Sequence, residues 1–278
     1  MKIKIGLCQI KTSEKLSENL KRAEKNIQKA AEEGCRIAAL PEMFCCPYSL
    51  KSFSDFSQPA KEGCEIYDFL SECASKFKIS LIGGSMPEKD GSRIYNSCLI
   101  FESGGKLAAK HRKNHLFDVD IKNSIKFTES AVLSKGDKFT VAEIEGIKAG
   151  IGICYDIRFP ELAERMALNG AEILLYPGAF NMRTGPAHGA RTIRARALDC
   201  QCYAAGIAPA LNTSLSYHSY GHSMAADPWG SKIAGLDIEE GVKSFTADTE
   251  MIREIREQLP LLKEKMRVIT DCNKGHKV

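Results

Sequence analysis

The chain has 278 residues, 44% of them hydrophobic and 27% charged, with 39 Lys and Arg against 35 Asp and Glu for a formal net charge of +4. At about 150 residues per domain, that length suits one large domain or two small ones, and it can bury a sizeable core without staples. The 22 glycines and 10 prolines exclude collagen-like and low-complexity readings, and so mild a positive excess does not by itself call for nucleic acid or membrane.

In chain order, Ile3 to Ile10 is β-branched and alternating, and reads as a first strand. From Leu16, apolar residues at Leu16, Leu20, Ala23, Ile27, Ala30 and Ala31 keep the spacing of one helix face, and Gly34 supplies the stop. Cys35–Leu40 reads as a buried strand ended by Pro41. A helix follows from about Gly63 to Phe77, then strands at Ile79–Gly83 and Tyr95–Phe101. Phe139–Ile144 and Ala149–Cys154 read as strands about a Glu145-Gly146 turn. Pro160–Asn169 is a helix with proline in its first turn and Gly170 closing it. Ile173–Tyr176, Cys202–Ala208 and Met224–Ala226 are further strands, with a helix over Ala187–Asp199.

This alternation argues an α/β architecture. No polar linker, charge block or repeat divides the chain, so one domain is expected. The irregular stretches at about 45–60, 111–130 and 209–221 are long for connectors and are candidates for site-building loops.

The eleven cysteines are odd in number, and Met1-Lys2-Ile3-Lys4-Ile5 opens no apolar leader, so reduced thiols in a reducing compartment are expected. Cys45-Cys46 are adjacent, and neither C-x-x-C nor H-E-x-x-H occurs, so no metal is expected. No window approaches eighteen uninterrupted apolar residues.

The strongest local signal is the run Gly150-Ile151-Gly152-Ile153-Cys154-Tyr155-Asp156-Ile157-Arg158-Phe159-Pro160-Glu161. An apolar strand stops at a cysteine, and a helix begins within about five residues. Such an elbow presents a nucleophile and aims backbone N–H groups toward it. The alternative is a buried core thiol, of which the chain has ten others. The six histidines show no distinctive pairing with it in the sequence. Glu42 follows an apolar strand and Pro41, where desolvation would raise its pKa toward that of a useful base, although a cap or surface role is equally open. Lys113, in Lys110-His111-Arg112-Lys113-Asn114-His115-Leu116-Phe117-Asp118, reads on its own as part of a solvated basic loop.

Taken together, Pro41-Glu42-Met43-Phe44, His111-Arg112-Lys113 with His115-Leu116-Phe117-Asp118, and Gly152-Ile153-Cys154-Tyr155-Asp156-Ile157-Arg158-Phe159-Pro160-Glu161 resemble, in order and spacing, the nitrilase (carbon–nitrogen hydrolase) superfamily. The similarity runs from Ile5 to about Lys265. The runs Phe127-Thr128-Glu129-Ser130, Tyr176-Pro177-Gly178-Ala179-Phe180-Asn181, Thr184-Gly185-Pro186-Ala187-His188 and Pro228-Trp229-Gly230 resemble its omega-amidase branch. Three positions depart from the usual pattern: Gly189 stands where Trp is frequent, Lys122-Asn123 where Pro-Gly is common, and Cys200 where an Asn often ends the helix.

The resemblance implies an α/β fold, a four-layer α-β-β-α sandwich formed by a single domain over 1–278, with a peripheral tail at about 267–278. It implies a Glu42–Lys113–Cys154 triad. Glu42 would take the thiol proton, Cys154 would attack the amide carbon, and Lys113 with the Tyr155 N–H would stabilise the oxyanion. Glu129 would position Lys113. Tyr48, Phe117, Phe180 and Arg183 lie beside matched motifs and are candidates for the pocket wall. The implied reaction is hydrolysis of short dicarboxylate monoamides such as 2-oxoglutaramate and 2-oxosuccinamate, with no cofactor, in a cytoplasmic homodimer or larger homo-oligomer. Deaminated glutathione, N-carbamoyl compounds or nitriles are alternative substrates within the superfamily, and a catalytically silent scaffold is the alternative outside it. Nucleic-acid binding through Lys106–Lys113 has only a short basic run in its favour.

Overall fold

The computed structural model describes residues 1–122 and 125–274. Its first sheet has eight strands. The path runs Gly241–Asp248, Lys2–Gln9, Ile37–Ala39, Ser80–Ile82, Arg93–Phe101 and Met86–Asp90, and both Leu107–Arg112 and Leu133–Ser134 also pair with Arg93–Phe101. The second sheet has six strands in the order Thr140–Ile144, Ile147–Ile151, Ile173–Pro177, Tyr203–Ile207, Met224–Ala226 and Lys232–Gly235.

Side chains alternate between two apolar environments, because both faces of each sheet are covered. Ile3, Ile5 and Leu7 pack against Ile173, Leu175, Ala205 and Ile207 of the opposite sheet. Their neighbour Cys8 instead joins Ala23, Ile27 and Ala30 of the helix Leu16–Glu32 and Leu70 and Ala74 of the helix Glu65–Phe77. On the far side, Leu174, Tyr176 and Ala204 pack against Leu162 and Met166 of the helix Pro160–Leu168 and Ile193 and Ala197 of the helix Thr184–Cys200. The result is the four-layer α-β-β-α sandwich. Among the described residues, no helix is long and apolar enough to cross a membrane.

Several expectations shift. The strand expected to reach Cys154 stops at Ile151, and Cys154 opens a 3-10 turn over Cys154–Arg158. The basic run is no solvated loop: Leu107–Arg112 is a strand that delivers Lys113 into the interior. The stretch 45–60 contains the helix Leu50–Asp55, begun by Ser49, whose Oγ accepts the Ser52 N–H at 3.2 Å. Cys200 ends its helix without needing an asparagine. Gln201 takes a left-handed conformation there, and the Cys202 N–H closes onto the Ala197 carbonyl at 3.2 Å. Just before the tail, Lys265 of the helix Leu261–Lys274 pairs with Glu164 at 3.2 Å. Residues 275–278 and the Asn123 turn lie outside the described residues.

The strand leading to Lys113 is fixed by a charge cluster. Buried Glu88 accepts bonds from Ser97, from Lys110, and from Arg112 Nε and Nη2 at 2.8 and 2.7 Å, while the Arg112 guanidinium lies 3.8 Å from the Tyr95 ring centroid. Burial alone would raise the Glu88 pKa, but the hydrogen bonds from Arg112 and Lys110 outweigh it and hold the carboxyl below its ordinary range. A depressed carboxylate stabilises the fold above its unfolded pKa, and that contribution fades as pH falls through the folded value. Glu88→Gln is therefore expected to lower the thermal midpoint at pH 7 and to lessen the loss of stability on acidification below about pH 4.5. Thermal melts of both proteins across pH 3–7 check this, and parallel pH curves would refute it.

Candidate active site

Three chain segments place one cation between two carboxylates. Glu42 lies just past the strand Ile37–Ala39 in a tightly held turn. The Pro41 carbonyl accepts the Ser85 N–H at 3.1 Å, and the Met43 N–H donates to Ser85 Oγ at 3.0 Å. Gly84 has φ +63°, and a Cβ there would lie 2.2 Å from the Pro41 carbonyl oxygen, so this approach requires glycine. Lys113 follows the strand Leu107–Arg112. Its N–H donates to the Asn96 carbonyl and its carbonyl accepts the Gly136 N–H, each at 2.8 Å. A Cβ on Gly136 would lie 2.2 Å from the Arg112 carbonyl oxygen. Glu129 begins the 3-10 turn Glu129–Ala131.

The side chains of Glu42, Lys113 and Glu129 are fully buried. Lys113 Nζ donates to Glu42 Oε1 at 2.8 Å and to Glu129 Oε1 at 3.0 Å. Asn96 Nδ2 also donates to Glu42 Oε1 at 2.8 Å. Glu129 is held in turn by the Tyr48 hydroxyl on Oε1 and by the Phe117 N–H on Oε2 at 2.7 Å. Glu42 Oε2 has no conventional hydrogen-bond partner, and the thiol of Cys154 lies close enough to pair with that carboxyl.

Burial raises the Glu42 pKa, and Lys113 pulls it back only in part while Glu129 adds to the rise. For Lys113, burial works downward, but Glu129 and Glu42 together hold the ammonium well above the ordinary lysine range. Cys154 keeps some exposure. Its thiol is nevertheless pushed well up by burial and then by the Glu42 charge, against Lys113 and a main-chain hydrogen bond at Ala179. The resting arrangement is a neutral thiol beside a carboxyl able to take its proton, with a fixed ammonium alongside.

Cys154 itself has φ +46°, uncommon for a residue with a side chain. The turn is locked by Asp156, fully buried within the same 3-10 segment. Asp156 Oδ1 accepts the His115 N–H at 2.9 Å and lies 2.7 Å from His115 Nδ1. Oδ2 accepts the Ile153 N–H at 2.9 Å and lies 3.3 Å from His111 Nε2. Burial would raise this carboxyl, but the His111 and His115 hydrogen bonds hold it well below the ordinary range. Two of the six histidines, without a pattern in sequence, thus converge on one carboxylate and tie the Lys113 segment to the cysteine turn.

The cavity at Cys154 measures about 20 Å³, and Tyr48, Phe117, Tyr155 and Phe180 are among its lining residues. Arg183 does not line it. That side chain is exposed at the start of the helix Thr184–Cys200, where the chain is turned by Asn181 Oδ1 accepting the Arg183 and Thr184 N–H groups. The arginine of the wall is Arg158, half-buried and drawn below its usual pKa chiefly by desolvation. Gly189 lies outside this wall as well. It borders a neighbouring cavity of about 80 Å³ that shares Phe180, and a Cβ on it would meet nothing within 4 Å. Sequence reading passed over Asp156, Arg158, Asn96 and Tyr217, although the first two sit inside the cysteine motif itself.

Asp156→Ala would leave several inward donors unpaired, and is expected to cost about 3–5 kcal/mol of stability and to slow alkylation of Cys154 by iodoacetamide. Denaturant titration and peptide-mapped alkylation measure the two effects. Wild-type alkylation kinetics would show that the turn does not depend on Asp156.

Residues 4–257 match the carbon–nitrogen hydrolase family. The chain is 47% identical over 264 residues to omega-amidase NIT2 of Xenopus tropicalis, covering 95% of each chain. It is 42% identical over 262 residues to omega-amidase NIT2 of Homo sapiens, covering 94% of each. Among solved structures it resembles Saccharomyces cerevisiae Nit3, a member of branch 10 of the nitrilase superfamily, with a TM-score of 0.86 and 42% identity over 94% of this chain and 95% of that one. Fold, motifs and relatives agree, and the chain belongs to the carbon–nitrogen hydrolase family of the nitrilase superfamily.

Proposed function

We propose that the protein is an omega-amidase, hydrolysing the terminal amide of short dicarboxylate monoamides such as 2-oxoglutaramate and 2-oxosuccinamate to the acid and ammonia. The observation that carries this reading is a partly accessible Cys154 beside the buried Glu42–Lys113–Glu129 cluster, in a narrow cavity whose wall includes the half-buried Arg158. The omega-amidase relatives support it.

In this mechanism Glu42 takes the Cys154 proton as sulfur bonds to the amide carbon. Lys113 and the Tyr155 N–H stabilise the oxyanion, each such donor being worth about 3–4 kcal/mol in the transition state. The C–N bond then breaks, and the proton on Glu42 passes to the departing ammonia. In the second half-reaction Glu42 takes a proton from water as the water oxygen bonds to the thioester carbon, and the C–S bond breaks to restore the thiol. Glu129 holds Lys113 in place. Arg158 binds the far carboxylate of the substrate, which selects acids over neutral amides.

The reaction needs no cofactor. The described cysteines are free thiols, which supports a cytoplasmic setting. Leu198 and Trp229 are exposed, and Leu198 packs against the adjoining Gly230, an apolar surface that supports assembly into a homodimer or larger homo-oligomer.

Cys154→Ala is expected to abolish ammonia release with an unchanged circular dichroism spectrum. Lys113→Ala should lower kcat by about 10²–10³-fold. Mass spectrometry on a slow amide should find the acyl group on Cys154, and an adduct on Cys45, Cys46 or Cys200 would overturn the assignment. Arg158→Met separates the substrate readings. It should lower kcat/KM for dicarboxylate monoamides by about 10- to 150-fold, the range of a charged hydrogen bond, and spare neutral monoamides. An equal loss on both classes would remove Arg158 from recognition.

A further inference from the structure

The helix Thr184–Cys200 carries two glycines in its first half, and packing asks for only one of them. A Cβ on Gly185 would lie 2.7 Å from the Tyr220 ring, so that position requires glycine. A Cβ on Gly189 would meet nothing within 4 Å. Yet Gly189 falls on the inward face, one helical turn from both Gly185 and Ile193, which are buried. Glycine weakens a helix interior, and here no close contact compensates. What Gly189 leaves is the cavity of about 80 Å³, bordered also by Ala190, Ile193, Met224 and one residue of the Cys154 cavity, Phe180.

Phe180 is held differently from the other rings around Cys154. The Tyr48 hydroxyl donates to Glu129, and the Tyr217 hydroxyl donates to the Ala179 carbonyl. Phe117 meets Tyr155 edge-on at 5.2 Å between centroids, and Tyr155 meets Phe159 in the same way at 5.3 Å. Among the described residues Phe180 has no such ring contact. Its rim lies over bare backbone at Gly178 and Gly206, where a Cβ would come within 2.8 and 3.2 Å of it.

The Cys154 cavity, about 20 Å³, hardly exceeds the volume one water needs, about 10–15 Å³. That is too little for a dicarboxylate monoamide unless part of the wall yields. Cys154 and Arg158 belong to one 3-10 turn, which fixes the spacing between the two ends of a substrate held by both. A longer chain must therefore bow sideways. We propose, resting on the amidase reading above, that Gly189 sets the chain length the enzyme accepts. It keeps open the space into which the Phe180 ring moves as a longer monoamide bows between Cys154 and Arg158.

Succinamate, glutaramate and adipamate, each one methylene longer than the last, test this through ammonia release. In Gly189→Trp an indole fills the space behind Phe180. The ratio of kcat/KM for adipamate to that for succinamate should fall by about 10-fold or more, the least expected of one misfitting methylene in a pocket. Gly189→Leu fills less and should shift the ratio less, in the same direction, and it carries the test if the larger side chain prevents folding. Phe180→Ala supplies the second arm. With the ring removed, adding Gly189→Trp should change the ratio far less, so that the two positions couple in a double-mutant cycle. A ratio unmoved by both Gly189 variants, or moved as much without the Phe180 ring as with it, overturns the proposal. Wild-type protein that forms no ammonia from any of the three defeats the amidase reading itself, and this shows before any variant is made.

Discussion

The ammonium of Lys113, held without water between Glu42 and Glu129, is the interaction on which the rest of the site depends. Taking three charges out of water costs several kcal/mol per ion, and only close, well-directed contacts return it. That requirement explains the supporting bonds: Asn96 on Glu42, Tyr48 and the Phe117 N–H on Glu129, and main-chain contacts on both sides of Lys113. One positive charge between two negative ones leaves the cluster net acidic if both carboxyls are ionised. The raised pKa of Glu42 relieves part of that imbalance. A carboxyl that accepts a proton readily is also what a neighbouring thiol needs.

Backbone conformation completes the arrangement. Met43, directly after Glu42, has φ +49°, and Cys154 has φ +46°. Residues with side chains pay of order 1 kcal/mol or more for such conformations, and keep them only where the surroundings over-determine the backbone. At Met43 the constraint is Ser85 and the glycine beside it. At Cys154 it is Asp156, whose carboxylate binds the preceding Ile153 N–H and both histidines of the lysine segment. One buried carboxylate therefore sets the positions of two functional groups far apart in sequence.

Much of this fold is legible from pattern. The apolar runs Ile37–Leu40 and Ile173–Tyr176 are unambiguous because each strand is buried on both faces. Met86–Asp90 is not, since a proline and three charges in five residues do not read as a strand, and it is tolerated because this strand ends the sheet's path. Gly241–Asp248 also escapes notice. Its buried residues, Val242, Phe245 and Ala247, break strict alternation, so pairing with the first strand is visible only in three dimensions. The cysteine elbow stands out locally. Lys113 does not, because nothing in a run of basic residues tells which one turns inward; the register of Leu107–Arg112 against Arg93–Phe101 decides it. Arg158 and Arg183 make the same point from the other side. Arg158 lies in a matched motif and Arg183 beside one, and only the packed turn after Cys154 brings an arginine to the cavity.

Burial is also distributed unevenly around the site, in a way that fits the proposed chemistry. Glu42, Lys113 and Glu129 are sealed, while Cys154 and Arg158 retain contact with solvent. A solvated ammonium would be screened and would have to shed water as the oxyanion forms. A sealed one interacts at lower effective dielectric and needs no reorganisation. In the proposed mechanism the thiol meets the substrate amide and the guanidinium a carboxylate, so those two cannot be sealed. The rings of Tyr48, Phe117 and Phe180 line the cavity at Cys154, and the Tyr48 hydroxyl reaches Glu129. A cavity so narrow admits water by a restricted route, which in the proposed mechanism makes thioester hydrolysis a controlled step.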